Sequence, residues 1–512
     1  MAVWALQGAM AVEPPALKTV AEISKYESTS LYADVVTFCN DLVKQSKRAR
    51  KSAIGQSREG RELPLLILSD PPIATPQEAA RAGKPVVLAF ANIHAGEVDG
   101  KEAVLMLSRD LCLSEKSAVL KSVIVLIVPI LNADGNERID KKHRTEQIGP
   151  VNGVGIRENA DGYDLNRDFV KLETPEIQAL VKAIDLWNPE IIVDLHTTNG
   201  SYHRFPMTFD IPRHPNAESD LILSVRNQWM PEIGNSLKAA TGFPMFYYGN
   251  FNRDRSAWET VPPVPRFGVQ YFAMRNRVGI LSESYNYDSF EKRVAASYGF
   301  LRSIMEYAAA HPQEVRASVA KAAPLRDRIE LRTKQLPLAG EFKILGYVEE
   351  TKNGRRKPTN ELKEYPVKAI QAAETALTVT RPYAYLFPAR YAKAAANLKN
   401  HGISVETTAA DTPLEVEIFR LDSLQRDANP FQKHKAVQLE VTSRKEKRNI
   451  TEGTIFVTTE QPLGNLIGFL LEPESEDGLF TWNFFDEGLK EGSDVPVMRL
   501  GLKAELKKVP LK

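Results

Sequence analysis

Two cysteines in 512 residues, Cys39 and Cys112, are too few for a disulfide framework or a Cys-rich zinc site. Both lie in apolar helical surroundings, DVVTFCNDL and LMLSRDLCL, which suit buried structural thiols. Charge of one sign is also missing. With 66 Lys plus Arg against 65 Asp plus Glu, a formal +1, there is no global field to hold a polyanion, and no basic patch marks a nucleic-acid partner. No run approaches the roughly 18 to 20 uninterrupted apolar residues of a membrane span. Internal repeats and low-complexity tracts are not seen. What is present, 43% hydrophobic and 26% charged residues, is an ordinary globular composition over a length that suits two or three domains. Residues 1–16 include a short apolar run and an A-M-A but no basic n-region, and read as a tail or a signal remnant. That points to a secreted or periplasmic home and leaves a cytoplasmic one open.

Leu31 to Ser46 has the spacing of an amphipathic helix, and SAIGQSREGRELPLLILSD that of two short strands around a Gly-bearing turn. Four near-continuous apolar runs follow: PVVLAFANI (85–93), VIVLIVPIL (123–131), EIIVDL (190–195) and RVGILS (277–282). Such runs suit strands covered on both faces, and their alternation with helical stretches predicts an α/β fold. The expected architecture is a mixed, mostly parallel sheet with helices on both faces over residues 17–312. A connector at 313–325 and a smaller mixed α+β domain at 326–512 complete it. Ligands of such sheets bind beyond the carboxyl ends of the strands.

Three of the four runs end in a residue able to bind a metal or move a proton: His94 with Glu97 three residues on, His196, and Glu283. Two imidazoles and one carboxylate form a ligand set for a catalytic zinc that leaves a position for water. A loop of about 38 residues between the second and third runs, rich in Gly, Asn and charge, is far longer than a connection needs. It carries Arg157, Asn166 and Arg167, and a guanidinium beside an amide can hold a carboxylate in a planar fork.

His94-x-x-Glu97 after a buried run, DLNRDF at 164–169, DLH at His196 and ILSESYNYDSFEKRV at 280–294 together resemble the M14 zinc metallocarboxypeptidases of the carboxypeptidase A type. The spacings are suitable, about 100 residues from Glu97 to His196 and somewhat under 90 from there to Glu283. The resemblance covers roughly residues 17–312, and the segment 464–486 is similar to bacterial members with an appended C-terminal domain. It implies one zinc ion per chain on His94, Glu97 and His196, with Glu283 as general base and then general acid. It implies further that Arg157 polarises the scissile carbonyl, with Arg138 and Arg144 as rivals for that role. Asn166 and Arg167 would hold the terminal carboxylate of a peptide substrate, and Asp164 would orient a zinc histidine through its second ring nitrogen. The family's active-site tyrosine has no match by spacing; Tyr271 and Tyr285 are the candidates.

The function so implied is zinc-dependent removal of C-terminal amino acids from peptides. Two rivals remain: a zinc amidase or deacylase acting on N-acyl amino acids or cell-wall peptides, and a catalytically silent peptide-binding protein. The acidic residues Glu472, Glu474, Glu476 and Asp477 have no histidine nearby and are expected in a solvated turn.

Overall fold

The computed structural model describes residues 17–114, 117–322, 325–352 and 354–511; the tail or signal remnant expected at 1–16 lies outside them. Among the described residues ten strands precede residue 290: Ala49–Gln56 (β1), Glu62–Leu68 (β2), Val86–Ala91 (β3), Ile124–Val128 (β4), Ile191–Thr198 (β5), Met207–Asp210 (β6), Met245–Tyr247 (β7), Asn250–Phe251 (β8), Ala257–Glu259 (β9) and Val278–Tyr285 (β10). Eight of them form one sheet in the order β1-β2-β4-β3-β5-β10-β6-β7. The central β4, β3, β5 and β10 run parallel, and β2 and β6 flank them antiparallel. VVLAFA and IVLIV are apolar at every position because both faces of these central strands are buried. The mixed sheet with helices expected for this region is what forms.

The helices Asp99–Leu113 and Phe290–Ala310 pack against each other on one face. Gly100 decides how close the first comes to the sheet. A Cβ there would stand 2.6 Å from Cβ of Leu195 in β5, so only glycine lets the start of the helix settle on that strand. On the opposite face the helix Gly268–Met274 brings Phe272 edge-on to Phe90, with ring centroids 6.1 Å apart.

Between sheet and helices lies a fully buried ion pair, Asp99 with Arg293, at 2.9 Å. The same Asp99 oxygen accepts the hydroxyls of Thr197 (2.5 Å) and Ser284 (2.9 Å), which ties the helix to β5 and β10. Arg293 also donates to the carbonyls of Ile148, Gly149 and Asp288.

The C-terminal region is largely β. Arg328–Leu336 pairs with Ala372–Thr380. The hairpin Phe342–Lys352/Arg355–Ile370 ends with Lys368–Ile370 lying parallel to β9, so one sheet spans both regions. A seven-stranded sheet includes the long hairpin Thr412–Arg426/Val437–Ile450.

Two expectations change. Pro312–Ala322, read as connector, is helical, because Val315, Val319 and Ala322 form a buried stripe one turn apart within a polar composition. The acidic segment is no solvated turn. Glu472 and Asp477 are buried, the first paired with Arg499 and bonded by the Tyr385 hydroxyl, the second paired with Arg266 at 2.9 Å and bonded by the Trp482 indole. Their opposite charges come from residues distant in sequence, which composition does not reveal. Cys39 and Cys112 are free and buried as expected, and burial pushes both thiols up to about 12.

Removing one partner of a buried ion pair strands the other. Arg293→Met should destabilise by about 3 to 5 kcal/mol in urea denaturation, and adding Asp99→Asn should recover part of the loss. Equal stability of the single and parent proteins would show that the pair does not hold the two helices together.

Candidate metal centre and active site

His94 lies three residues past the end of β3, after Asn92 has taken the left-handed φ of 62° that turns the chain. Glu97 stands just before the helix that Gly100 seats against β5. His196 and Glu283 were expected at strand ends, but β5 and β10 continue to Thr198 and Tyr285. The two residues are therefore register partners inside parallel strands, on the same face.

His94, Glu97 and His196 are buried, and their ligand atoms lie within 4.8 Å of one another. Nδ1 of His196 is 2.9 Å from Glu97 Oε2 and 3.2 Å from Nδ1 of His94, which in turn is 3.2 Å from Glu97 Oε1. Both imidazoles thus present the same ring nitrogen to one point. Each has a carboxylate at its other nitrogen: Asp164 at 2.9 Å from His94 Nε2, and Asp194 at 2.8 Å from His196 Nε2. That is the outer support that fixes the tautomer of metal-binding histidines.

The electrostatics agree with a cation at that point. Burial works against the charge of Glu97, yet His94, Arg144 and His196 hold its carboxyl well below the usual range. Burial likewise opposes a charged His196, yet Asp194 and Glu97 raise it well above an ordinary histidine. A site that retains a proton against burial is built for positive charge, and two nitrogens with one carboxylate are the donors zinc takes.

Asp164 is the hub of the outer layer. Its Oδ1 also accepts the Asn166 amide (3.0 Å), and its Oδ2 takes Arg157 Nε (2.9 Å) and Nη2 (2.8 Å). Burial would raise its carboxyl, but His94, Arg167 and Arg157 hold it far below the ordinary value. Arg157 Nη1 reaches 3.2 Å from His94 Nδ1 and 3.6 Å from Glu97, so this guanidinium faces the cluster. Of its two rivals, Arg144 is occupied with Glu97 (2.9 Å) and the Thr197 carbonyl (2.8 Å), and Arg138 pairs with Glu59 away from the site. Asn166 Nδ2 lies 3.3 Å from His196 Nε2, and its Oδ1 accepts the Gly268 amide. Arg167 stacks on Phe267, 4.4 Å from the ring centroid, with Nη1 bonded to the Asn166 carbonyl.

Glu283 Oε2 is buried without a hydrogen-bond partner. Burial pushes its carboxyl up to about 8, with His196 opposing and Glu97 adding to the rise.

Neither tyrosine candidate is at the centre. Tyr271 bonds His401 (2.7 Å) in the interior, and the Tyr285 hydroxyl accepts the His203 amide. The tyrosine that the structure brings close is Tyr248, whose phenol burial raises, with Glu283 and Glu97 adding to the rise and Arg167 opposing. Its position follows from the short β7, whose pairing with β6 no apolar run announces. Asp194 was also missed, although VDLH shows it: two residues before His196 on a strand is the same face.

Fold and cluster define an α/β scaffold that carries a candidate metal centre. Residues 35–218 match the zinc carboxypeptidase family, peptidase M14. Carboxypeptidase 2 of Trichophyton rubrum is 20% identical over 468 residues, covering 87% of this chain and 81% of that protein. Human carboxypeptidase D is 31% identical over 159 residues, 30% of this chain and 11% of that one. Among solved structures, a metallo-carboxypeptidase from Burkholderia cenocepacia aligns over 54% of this chain and 68% of its own at 19% identity, with a TM-score of 0.39. Over residues 35–218 the chain is similar to the M14 zinc carboxypeptidases, and this likeness supports a carboxypeptidase-type hydrolase. Among the described residues no helix is long and apolar enough to cross a membrane.

Asp164→Asn and Asp194→Asn should each weaken zinc binding about 10- to 100-fold, read by competition with a chromogenic chelator, and His196→Ala should abolish it. Unchanged affinity in both Asn variants would remove the carboxylates from the centre's support.

Proposed function

We propose that the chain removes single amino acids from the free C-terminus of peptides. The observation that carries this reading is convergence. Glu283, with an unpartnered carboxylate oxygen, Arg157 and the Asn166–Arg167 pair surround one His94, Glu97, His196 cluster.

His94, Glu97 and His196 would hold a zinc ion, which when bound would supply Lewis acidity and acidify water. Glu283 Oε2 accepts the proton of the attacking water and passes it to the departing amine. Arg157, fixed by two bonds to Asp164, directs Nη1 at the oxyanion that develops on the scissile carbonyl. Arg167 and Asn166 hold the terminal carboxylate, and stacking on Phe267 sets the plane of the guanidinium fork. Tyr248 keeps its proton at neutral pH and so acts as a donor. Beyond the end of β5 a cleft of about 700 Å³, lined by Asn199, Tyr202, Asn250, Arg253, Tyr287 and Arg356, has room for residues preceding the scissile bond.

A peptide library digested free and C-terminally amidated separates this from the amidase and deacylase readings. Stepwise trimming of free peptides alone, stopped by a chelator and reduced about 10²- to 10⁴-fold by Glu283→Gln, is the expected result. Intact peptides with zinc bound, together with cleavage of N-acyl amino acids, would overturn it.

The base works deprotonated, so kcat/KM should rise with pH through the Glu283 titration. Burial raises that group, so the acidic limb is expected above the free glutamate value of about 4.3, and a cation held on the neighbouring ligands would keep it no higher than about 8. A limb at the free value, read from a pH profile on one peptide, would contradict a buried base.

A further inference from the structure

The long C-terminal hairpin Thr412–Arg426/Val437–Ile450 ends on the loop that carries Asp164. Its tip closes with Phe431 and His434 exchanging backbone bonds of 2.7 and 3.0 Å around Gln432 and Lys433. Both central residues have positive φ, 50° and 64°, the pattern of a two-residue turn for which Asn-Gly is the inexpensive sequence. Gln-Lys in that position stores backbone strain, so the side chains must contribute something the turn does not need.

Their contacts show what. Gln432 Oε1 accepts the backbone amide of Asp164 at 3.0 Å. Lys433 donates to the Asp161 carbonyl (2.7 Å) and lies 4.0 Å over the Tyr163 ring. His434 reaches Glu173 at 3.0 Å. Asp164 caps the short helical turn Leu165–Arg167, and a capping residue's own amide is commonly satisfied by a side chain three residues on. Here the acceptor comes from 268 residues away. Farther along the same loop, Lys171 bonds the Arg167 carbonyl and lies 4.3 Å over the ring of Trp482.

We infer that the C-terminal region completes the active site, with Gln432 as a positioning residue that sets Asp164 and, through it, His94 and Arg157. The chain of contacts is Gln432 Oε1 to the Asp164 amide, Asp164 Oδ1 to His94 Nε2, and Asp164 Oδ2 to Arg157. Losing the first link frees the carboxylate to rotate, which loosens one zinc ligand and the oxyanion donor together. Ground-state contacts of the substrate's carboxylate with Arg167 are left in place.

Gln432→Gly is the sharp variant, because glycine relaxes the positive φ while removing the acceptor. Thermal stability should stay level or rise, while zinc affinity, measured by chelator competition without peptide, falls about five- to tenfold. In the zinc-loaded enzyme kcat should fall by a similar factor with KM within about twofold, as for an interaction that acts in the transition state. Gln432→Glu keeps an acceptor oxygen and should stay within about twofold of the parent in both. Parental zinc affinity in Gln432→Gly, or an equal loss in Gln432→Glu, would overturn the inference. The inference rests on the carboxypeptidase reading for kcat alone. A weakened zinc site in a protein that trims no peptide would uphold Gln432 and reject that reading.

Discussion

Two imidazole nitrogens held 3.2 Å apart against one carboxylate, where water is excluded, are tolerable only with positive charge between or upon them. Much of the structure serves that constraint. Asp164 and Asp194 hold the outer nitrogens, Arg144 steadies Glu97, and Arg157 balances Asp164. Each buried imidazole and carboxylate of the set lies beside an opposite charge, so none bears its desolvation alone. The Glu283 Oε2 oxygen is buried without a hydrogen-bond partner, which leaves it free for the proton it is proposed to take up.

The backbone beneath is set by equally local demands. Gly100 lets the helix reach β5, Asp99 then binds Thr197 and Ser284, the register pair next to His196–Glu283, and Arg293 neutralises Asp99. Ligands, base and scaffold therefore share a few contacts within two strands and one helix. Packing and chemistry are coupled here because these residues alternate on β5 and β10: His196 and Glu283 face the site, Thr197 and Ser284 the helices.

The C-terminal region belongs to the same system. Its strand Arg355–Ile370 extends a sheet through β9, and Ile329, Tyr385 and Phe469 lie in one apolar core with the residues of the central strands. The Asp477–Arg266 pair, the Trp482 stack on Lys171 and the tip at Gln432 meet the catalytic region along the loop of Asp164 and the segment before the Gly268 helix. A region that looks like an appendage in the sequence forms one wall around the catalytic loop.

Apolar runs, three of them ending in His or Glu, were enough to locate β3, β4, β5 and β10 and to single out His94, Glu97 and His196, which the fold brings together, since the periodicity of a buried strand and the ligand chemistry of His and Glu are local properties. The helical stripe at Val315, Val319 and Ala322 was equally local and was hidden only by its polar surroundings. Tyr248, the burial of Glu472 and Asp477, the different surroundings of Arg138, Arg144 and Arg157, and the reach of Gln432 were decided by tertiary structure. Each depends on which charge or hydrogen-bond partner arrives from elsewhere in the chain, and no spacing along a sequence encodes that meeting.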